Sequence, residues 1–210
     1  MKTTSKLLVF CMIAIPFMAF INAANLGKGI NLISGSVKAL KGEKVLGVKY
    51  DYSNLKVVDK PEAEWMKEEV AKKNGKKPGS GDKFKEAWYS DRASRFQPKF
   101  EELLNKYISD NGVSVSEKDT ATAKYIIILE TTCTDPGWNI GFTKRPSYID
   151  AEVQIVESAT KNAIAKLSIP KVPGSTYGSG DLDTGNRLAE SYAKCGKELG
   201  TYLTKNAFGK

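Results

Sequence analysis

Tyr125 to Phe142 reads YIIILETTCTDPGWNIGF, the longest continuous β-type apolar run in the chain followed by a Pro-Gly-Trp turn. Ile126, Ile127, Ile128 and Leu129 leave no polar side. Such a run suits a strand central in its sheet or covered on both faces. From Glu130 the strand turns polar, and the connection DPGWNIGFTKRP that follows it is long for a simple loop. The fold therefore turns on what pairs with this strand and what packs against it.

Downstream, Ile149, Ala151, Val153 and Ile155 alternate with Asp150, Glu152 and Gln154. After a turn near SATKN, Ala163, Ala165, Leu167 and Ile169 alternate with Lys166 and Ser168. This period of two predicts a β-hairpin with one dry face and one wet face, closed by Pro170, Pro173 and Gly174. Upstream, Val48, Tyr50 and Tyr52 alternate with Lys49 and Asp51, which predicts a half-buried strand before the Ser53-Asn54 bend.

Helical periodicity occupies the remainder. Pro61 suits a first helical position, and Glu62 and Glu64 complement the positive end of a helix whose stripe is Ala63, Met66 and Val70. That helix is expected to stop by Asn74-Gly75, with KKPGSGDK (76–83) as a solvated linker. Its glycines lack phosphate-loop spacing and follow no strand. Phe84 and Trp88 begin a second helical region, and Phe100, Leu103, Leu104 and Tyr107 form a third. Pro98, which cannot donate to the ladder, predicts a break or a kink between them.

VSVSEKDTATA (113–123) reads as a polar connection. The closing helix starts at a cap, Asp183 or Thr184, and carries Leu188, Tyr192, Cys195, Leu199 and Leu203. Beside them runs a row of small residues, Ala189, Ala193, Gly196 and Gly200, expected to bring the helix close to the sheet.

These elements add up to an α+β fold, a two-layer α/β sandwich. Its sheet is expected to be mainly antiparallel, with about four to five strands and helices packed on one face.

The first residues carry Lys2 and Lys6, an apolar segment from Leu7 to Phe20, and small residues at Ala23 and Ala24, the layout of a secretory signal. The organisation read from this is a signal peptide at 1–23, a loosely attached arm at 24–43 that adds at most a short edge strand, and a single α/β domain at 44–210. Export to the periplasm or the extracellular space follows, with no integral membrane span in the mature chain. Cys11 sits inside the apolar segment behind Phe10, not where a lipid acceptor cysteine belongs.

The formal charge of +8 falls to +6 once Lys2 and Lys6 leave. This is a solubility feature, and export makes nucleic acid an unsuitable partner. The sequence contains no histidine, which excludes histidine triads, histidine bases and histidine metal ligands. No cofactor or metal motif is present. Cys133 and Cys195 remain after cleavage, either as a disulfide formed in an oxidising compartment or as two small core residues.

Three candidate sites stand out. An Asp-x-Asp loop at Asp181 and Asp183 lacks the glycine and closing glutamate of a calcium loop, with Tyr192 at the twelfth position, so helix capping explains it better. A polar-aromatic set comprises Trp88, Tyr89, Asp91, Arg92 and Arg95 with Asp135, Trp138, Asn139 and Arg145. If its two loops meet at one sheet end, the set suits a sugar or peptidoglycan-like ligand. The alternative is that Trp88 and Trp138 fill the core edge and that Arg92 or Arg95 pairs with Asp91 or Asp135 to fix the loops. Paired carboxylate catalysis would draw on Asp91, Asp135 and Asp150, which sequence spacing cannot place.

Five blocks carry a family resemblance: DYSN (51–54), DKFKEAW (82–88), RFQPKFEELLNKY (95–107), TTCTDPGWNIG (131–141) and GNRLAESYAKCGKELGTYL (185–203). Across nearly all of the mature chain they resemble a group of secreted Bacteroidetes proteins of unknown function. More distantly, the order of strand, helices, three strands and final helix looks like the periplasmic α/β envelope domains related to the TolB amino-terminal domain and the CsgG/LpoB group. That resemblance implies binding of a partner protein without catalysis, and it supplies no active-site residues. The expected function is thus a non-catalytic exported envelope protein with a binding or assembly role, its partner an envelope protein or a glycan. The alternative is a glycan-binding or carbohydrate-active domain using Trp88, Trp138 and nearby acids.

Overall fold

The computed structural model describes residues 29–139, 143–174 and 183–209. The signal segment 1–23, Cys11, Asp181 and the 140–142 end of the opening stretch lie outside the described residues. The fold is the expected α+β sandwich, with helices on one face of a single large sheet.

Among the described residues the sheet has eight strands. Those that place the site are β1 (Asn31–Gly35), β2 (Val45–Asp51), β5 (Ser114–Ser116), β6 (Tyr125–Asp135), β9 (Tyr148–Glu157) and β10 (Ala163–Pro173), in the spatial order β1-β10-β9-β6-β2-β5. Two-residue strands β3 (Lys56–Val57) and β4 (Lys60–Pro61) extend it beside the end of β6.

β6 is central, as its apolar run requires, and β9 and β10 form the expected hairpin. Ile149, Ala151, Val153 and Ile155 are buried, and the side chains between them are partly exposed, so one face is dry. Strand number and pairing differ from expectation. β2 runs parallel to both β5 and β6, so about half the sheet is mixed. The cause is the long helical connection from β2 to β5, which returns the chain in the same direction.

β5 is only three residues of the stretch read as a polar connection. The side-chain amide of Asn105 fixes it: its Nδ2 donates to Val115 O at 2.8 Å and its Oδ1 accepts from Val115 N at 2.8 Å. One amide thus takes both hydrogen bonds that a further strand would have offered.

The arm is anchored more firmly than expected. β1 pairs antiparallel with β10, and a 3-10 turn at Val37–Leu40 buries Val37 and Leu40. In the helical layer, α1 (Glu62–Lys76) runs past Asn74-Gly75, and α2 (Ser80–Asp91) begins inside the stretch read as a linker, which shrinks to three residues. Gly79 allows this tight junction by adopting φ 76°.

Pro98 neither breaks the helix nor ends it. A π-helical turn, Arg92–Phe96, joins α2 to α3 (Gln97–Ile108), and Gln97 N donates to Arg92 O, five residues back. The widened turn spares the proline ring its clash with the preceding carbonyl.

The last helix, α4 (Thr184–Leu203), buries Leu188, Tyr192, Cys195, Leu199 and Leu203, as its stripe predicts. Its small face packs elsewhere than expected. A Cβ on Gly196 would lie 2.2 Å from Phe100 O, and one on Gly200 would lie 2.7 Å from Tyr107 Cβ, so the small residues meet α3 rather than the sheet.

Asn105 is the test of the β5 edge. Asn105→Leu strands one buried donor and one acceptor, and should lower stability by about 1–3 kcal/mol. Urea unfolding checks this: the midpoint falls while the slope stays unchanged.

Candidate functional site

The first turn of α4 brings the nominated residues to one end of the molecule, in two separate groups. On one side lie the end of α2 and the π turn. On the other lies the loop leaving β6.

In the first group, Trp88 is only 6% exposed. Its ring lies 4.8 Å from Trp65 and 5.9 Å from Phe84, and its Nε1 donates to Glu62 Oε1 at 2.6 Å. Arg92 Nη2 donates to the same carboxylate oxygen, while its guanidinium lies 4.2 Å from the Tyr52 ring and 5.0 Å from that of Tyr89. Glu62 at the start of α1 thus ties two helices together. Trp88 fills the edge of the helical core and offers no open face for stacking.

Arg95 and Asp91 form a second cluster. Arg95 Nε donates to Asp91 at 3.0 Å, and its Nη1 donates to Asp183 at 2.9 Å and to Asn186 Oδ1 at 3.3 Å. Asp183 is the cap of α4, accepting from Asn186 N at 3.0 Å. Gly185 is required here, because a Cβ would stand 2.1 Å from Asp91 Oδ2 and 2.7 Å from Arg95 Nη1. A cavity of about 260 Å³ opens beside this cluster, lined by Phe84, Trp88, Phe96, Arg95 and Asp183 among others. It combines an apolar floor with a rim of paired charges.

In the second group, Asp135 is 2% exposed, and its Oδ1 accepts from Gly137 N at 2.8 Å. Arg145 Nη2 reaches both of its oxygens, at 2.9 and 2.8 Å. This ion pair closes the base of a small hairpin, β7 (Trp138–Asn139) with β8 (Lys144–Arg145). Trp138 stands 40% exposed on that hairpin, directly opposite Arg145, and Asn139 pairs with Lys144.

Arg187, buried in the first turn of α4, links the groups by donating from Nε and Nη2 to Pro136 O at 3.3 and 3.1 Å. The two loops therefore meet one helix turn, while Trp88 and Trp138 do not form one exposed surface. Trp65, Glu62, Tyr52 and Arg187 complete the arrangement; Glu62 and Tyr52 entered the sequence reading only as helix-end and strand residues, and none of the four was a candidate site residue. Trp65 beside Met66 was the available signal, since a large aromatic flanking an apolar stripe marks the stripe's edge.

Cys133 and Cys195 are both free. Cys195 is wholly buried on the helical face. Cys133 lies after a register irregularity between Thr131 and Cys133, directly opposite Asp150 on β9. Asp150 alternates with buried Ile149 and Ala151, so this pair faces away from the helices and from Cys195. Burial first, and then the Asp150 charge, push the Cys133 thiol above its ordinary value, the reverse of what a nucleophilic thiolate needs. Unfolded, unreduced protein comprising residues 24–210 should accordingly titrate two thiols per chain; a reading of zero would show a bridge.

The three acids considered for catalysis each face a different cation: Asp91 faces Arg95, Asp135 faces Arg145, and Asp150 faces Lys171. Among the described residues, no group of three or more cysteines and carboxylates is placed to hold a metal ion. No described helix is long and apolar enough to cross a membrane.

Asp91 and Asp183 are shifted in opposite directions. Burial raises Asp91, outweighing Arg95. Burial acts upward on Asp183 as well, but the Asn186 amide and Arg95 outweigh it and hold Asp183 below its ordinary value. The stability contributed by ionised Asp183 is complete above its unfolded pKa of about 3.9 and is lost as pH falls through the depressed folded value. Asp91 carries the opposite sign, its cost being relieved as pH falls through its raised folded value. Asp183→Asn keeps a capping oxygen but removes the charge. Its urea midpoint should therefore decline less steeply than that of the parent between about pH 5 and pH 2.

No family model matches the sequence, and no curated protein matches it. Among solved structures, the chain is similar to the PelC dodecamer from Paraburkholderia phytofirmans at 10% identity and a TM-score of 0.38, covering 80% of this chain and 96% of that one. A Xanthomonas campestris protein of the DUF330 family is similar at 9% identity and a TM-score of 0.36, covering 78% of this chain and 84% of that one. A protein described as a neuraminyllactose-binding hemagglutinin homologue, from Helicobacter pylori, is similar at 10% identity and a TM-score of 0.30, covering 82% and 87%. At these values the likenesses carry no argument about function.

Proposed function

We propose that this protein is a non-catalytic, exported envelope component that binds another component or assists its assembly. The observation that carries the reading is the pairing of the site's charges. Asp91, Asp135 and Asp150 are each paired with a different cation, and Glu62 is held by Trp88 and Arg92. Carboxylates held in this way fix loops and helix ends; a general acid or base needs a group left open to substrate. The leader-like layout of residues 1–24 supports export, and the resemblance to periplasmic binding domains agrees with a role in recognition.

Two measurements test this. Protein recovered from fractionated cells should begin near Ala24 and be found outside the cytoplasm. Incubation with peptidoglycan and soluble glycans should leave them intact, and hydrolysis abolished by Asp91→Asn or Asp135→Asn would overturn the reading.

The exposed ring of Trp138 favours a second reading, a glycan contact on the β7–β8 hairpin with Asn139 and Arg145 and without Trp88. Stacking of one ring contributes about 1 kcal/mol or more, so Trp138→Ala should weaken retention on peptidoglycan about fivefold or more. Retention that is absent, or unchanged in the variant, excludes that site.

A further inference from the structure

The reading above assigns nothing to the cavity of about 260 Å³ lined by α2, the π turn and the first turn of α4. Its floor is apolar and held from behind. Phe84 and Trp88 lie 5.9 Å apart, Phe96 is stacked on Tyr192 at 4.9 Å, and Leu188 is buried beside them. Rings fixed in this way make a preformed surface.

Four charged side chains, Lys73, Asp91, Arg95 and Asp183, also line the cavity. The two acids are engaged. Asp91 accepts from Arg95, and its Oδ2 is pressed against Gly185, where a Cβ would lie 2.1 Å away. Asp183 accepts from Arg95 and from Asn186 N. The two cations keep donors in hand. Arg95 spends Nε on Asp91 and Nη1 on Asp183 and Asn186, and its Nη2 donates to nothing among the described residues. Lys73 Nζ stands 4.3 Å from the centre of the Phe84 ring and forms no ion pair among the described residues.

We propose that this cavity binds a small monocarboxylate carried on an aromatic or branched aliphatic body. The carboxylate meets Lys73 and Arg95, and the body lies on Phe84, Phe96 and Leu188. Spare donors beside acids that are already engaged select an anion. The nearby Asp91 and Asp183 charges repel a dianion more than a monoanion, which favours a carboxylate over a phosphate. An apolar cavity of about 150 Å³ takes up benzene, so this one admits a ring with a short acid chain. A sugar would bring hydroxyls onto a floor that offers them no partners. The site shares no residue with the β7–β8 hairpin and does not depend on export, so it goes beyond the functional reading above.

The test is titration of protein comprising residues 24–210 with hydrocinnamate, followed by amide NMR. Saturable shifts should centre on Phe84, Ala87, Gly185 and Leu188, with a Kd in about the millimolar range or tighter. Hydrocinnamamide, which has the same body without the charge, should bind about tenfold more weakly. Lys73→Gln, at a partly exposed helical position, should weaken hydrocinnamate about threefold or more. Lys197→Gln removes the same charge from the groove between α3 and α4 and should leave binding unchanged. Binding that is absent or does not saturate, shifts centred elsewhere, equal affinity for hydrocinnamamide, tighter binding of phenyl phosphate, or equal effects of the two lysine substitutions would each overturn the proposal.

Discussion

Close approach of α4 to two partners at once is the constraint on which the rest depends. One side of the helix carries Leu188, Tyr192, Cys195, Leu199 and Leu203 into the core, and the other presents Gly196 and Gly200 to the backbone of α3. The distance between α3 and α4 is set by the missing side chains, and it decides how tightly the helical layer covers β6 and β9. Phe96 stacks on Tyr192 at 4.9 Å, and the Tyr192 hydroxyl shares a 2.8 Å hydrogen bond with Thr131 of β6, so the contact runs from the π turn through α4 to the sheet. Both capping at Asp183 and the Arg187 link to Pro136 are consequences of where this helix must begin.

Much of this was legible in the residues themselves. The β6 run, the β9–β10 alternation and the α4 stripe each repeat one period over enough residues to fix an element and its buried side. The parallel half of the sheet was not legible, because β5 is three residues long and its pairing depends on an amide from a helix. The small row on α4 announced a close approach but not the partner, since Gly196 fits against a helix as well as against a sheet. Cys133 shows the limit of alternation: one irregularity after Thr131 sets its face, and no sequence period marks it.

The site was legible as an inventory and not as an arrangement. Asp91 with Arg95 is a pairing that the sequence reading considered, whereas Asp135 pairs with Arg145 of its own hairpin and not with Arg92 or Arg95. Trp88 was harder, since what buries it is Trp65 and Glu62 on a different helix. An aromatic residue in a polar neighbourhood looks ligand-facing until its distant neighbours are known.

The π turn at Arg92–Phe96 has a consequence for how one continuous rod serves two surfaces. Each added residue advances helical phase by about 100°, so a single extra residue in the turn re-aims everything beyond it. Phe84 and Trp88 before the turn meet Trp65 of α1, whereas Phe100 after it meets the Tyr50 ring of β2 edge-on at 6.0 Å, and Leu104 and Ile108 are buried in the shared core. The turn works as a phase adjuster between two otherwise ordinary stripes, while its own Arg92, Arg95 and Phe96 hold Glu62, Asp183 and Tyr192.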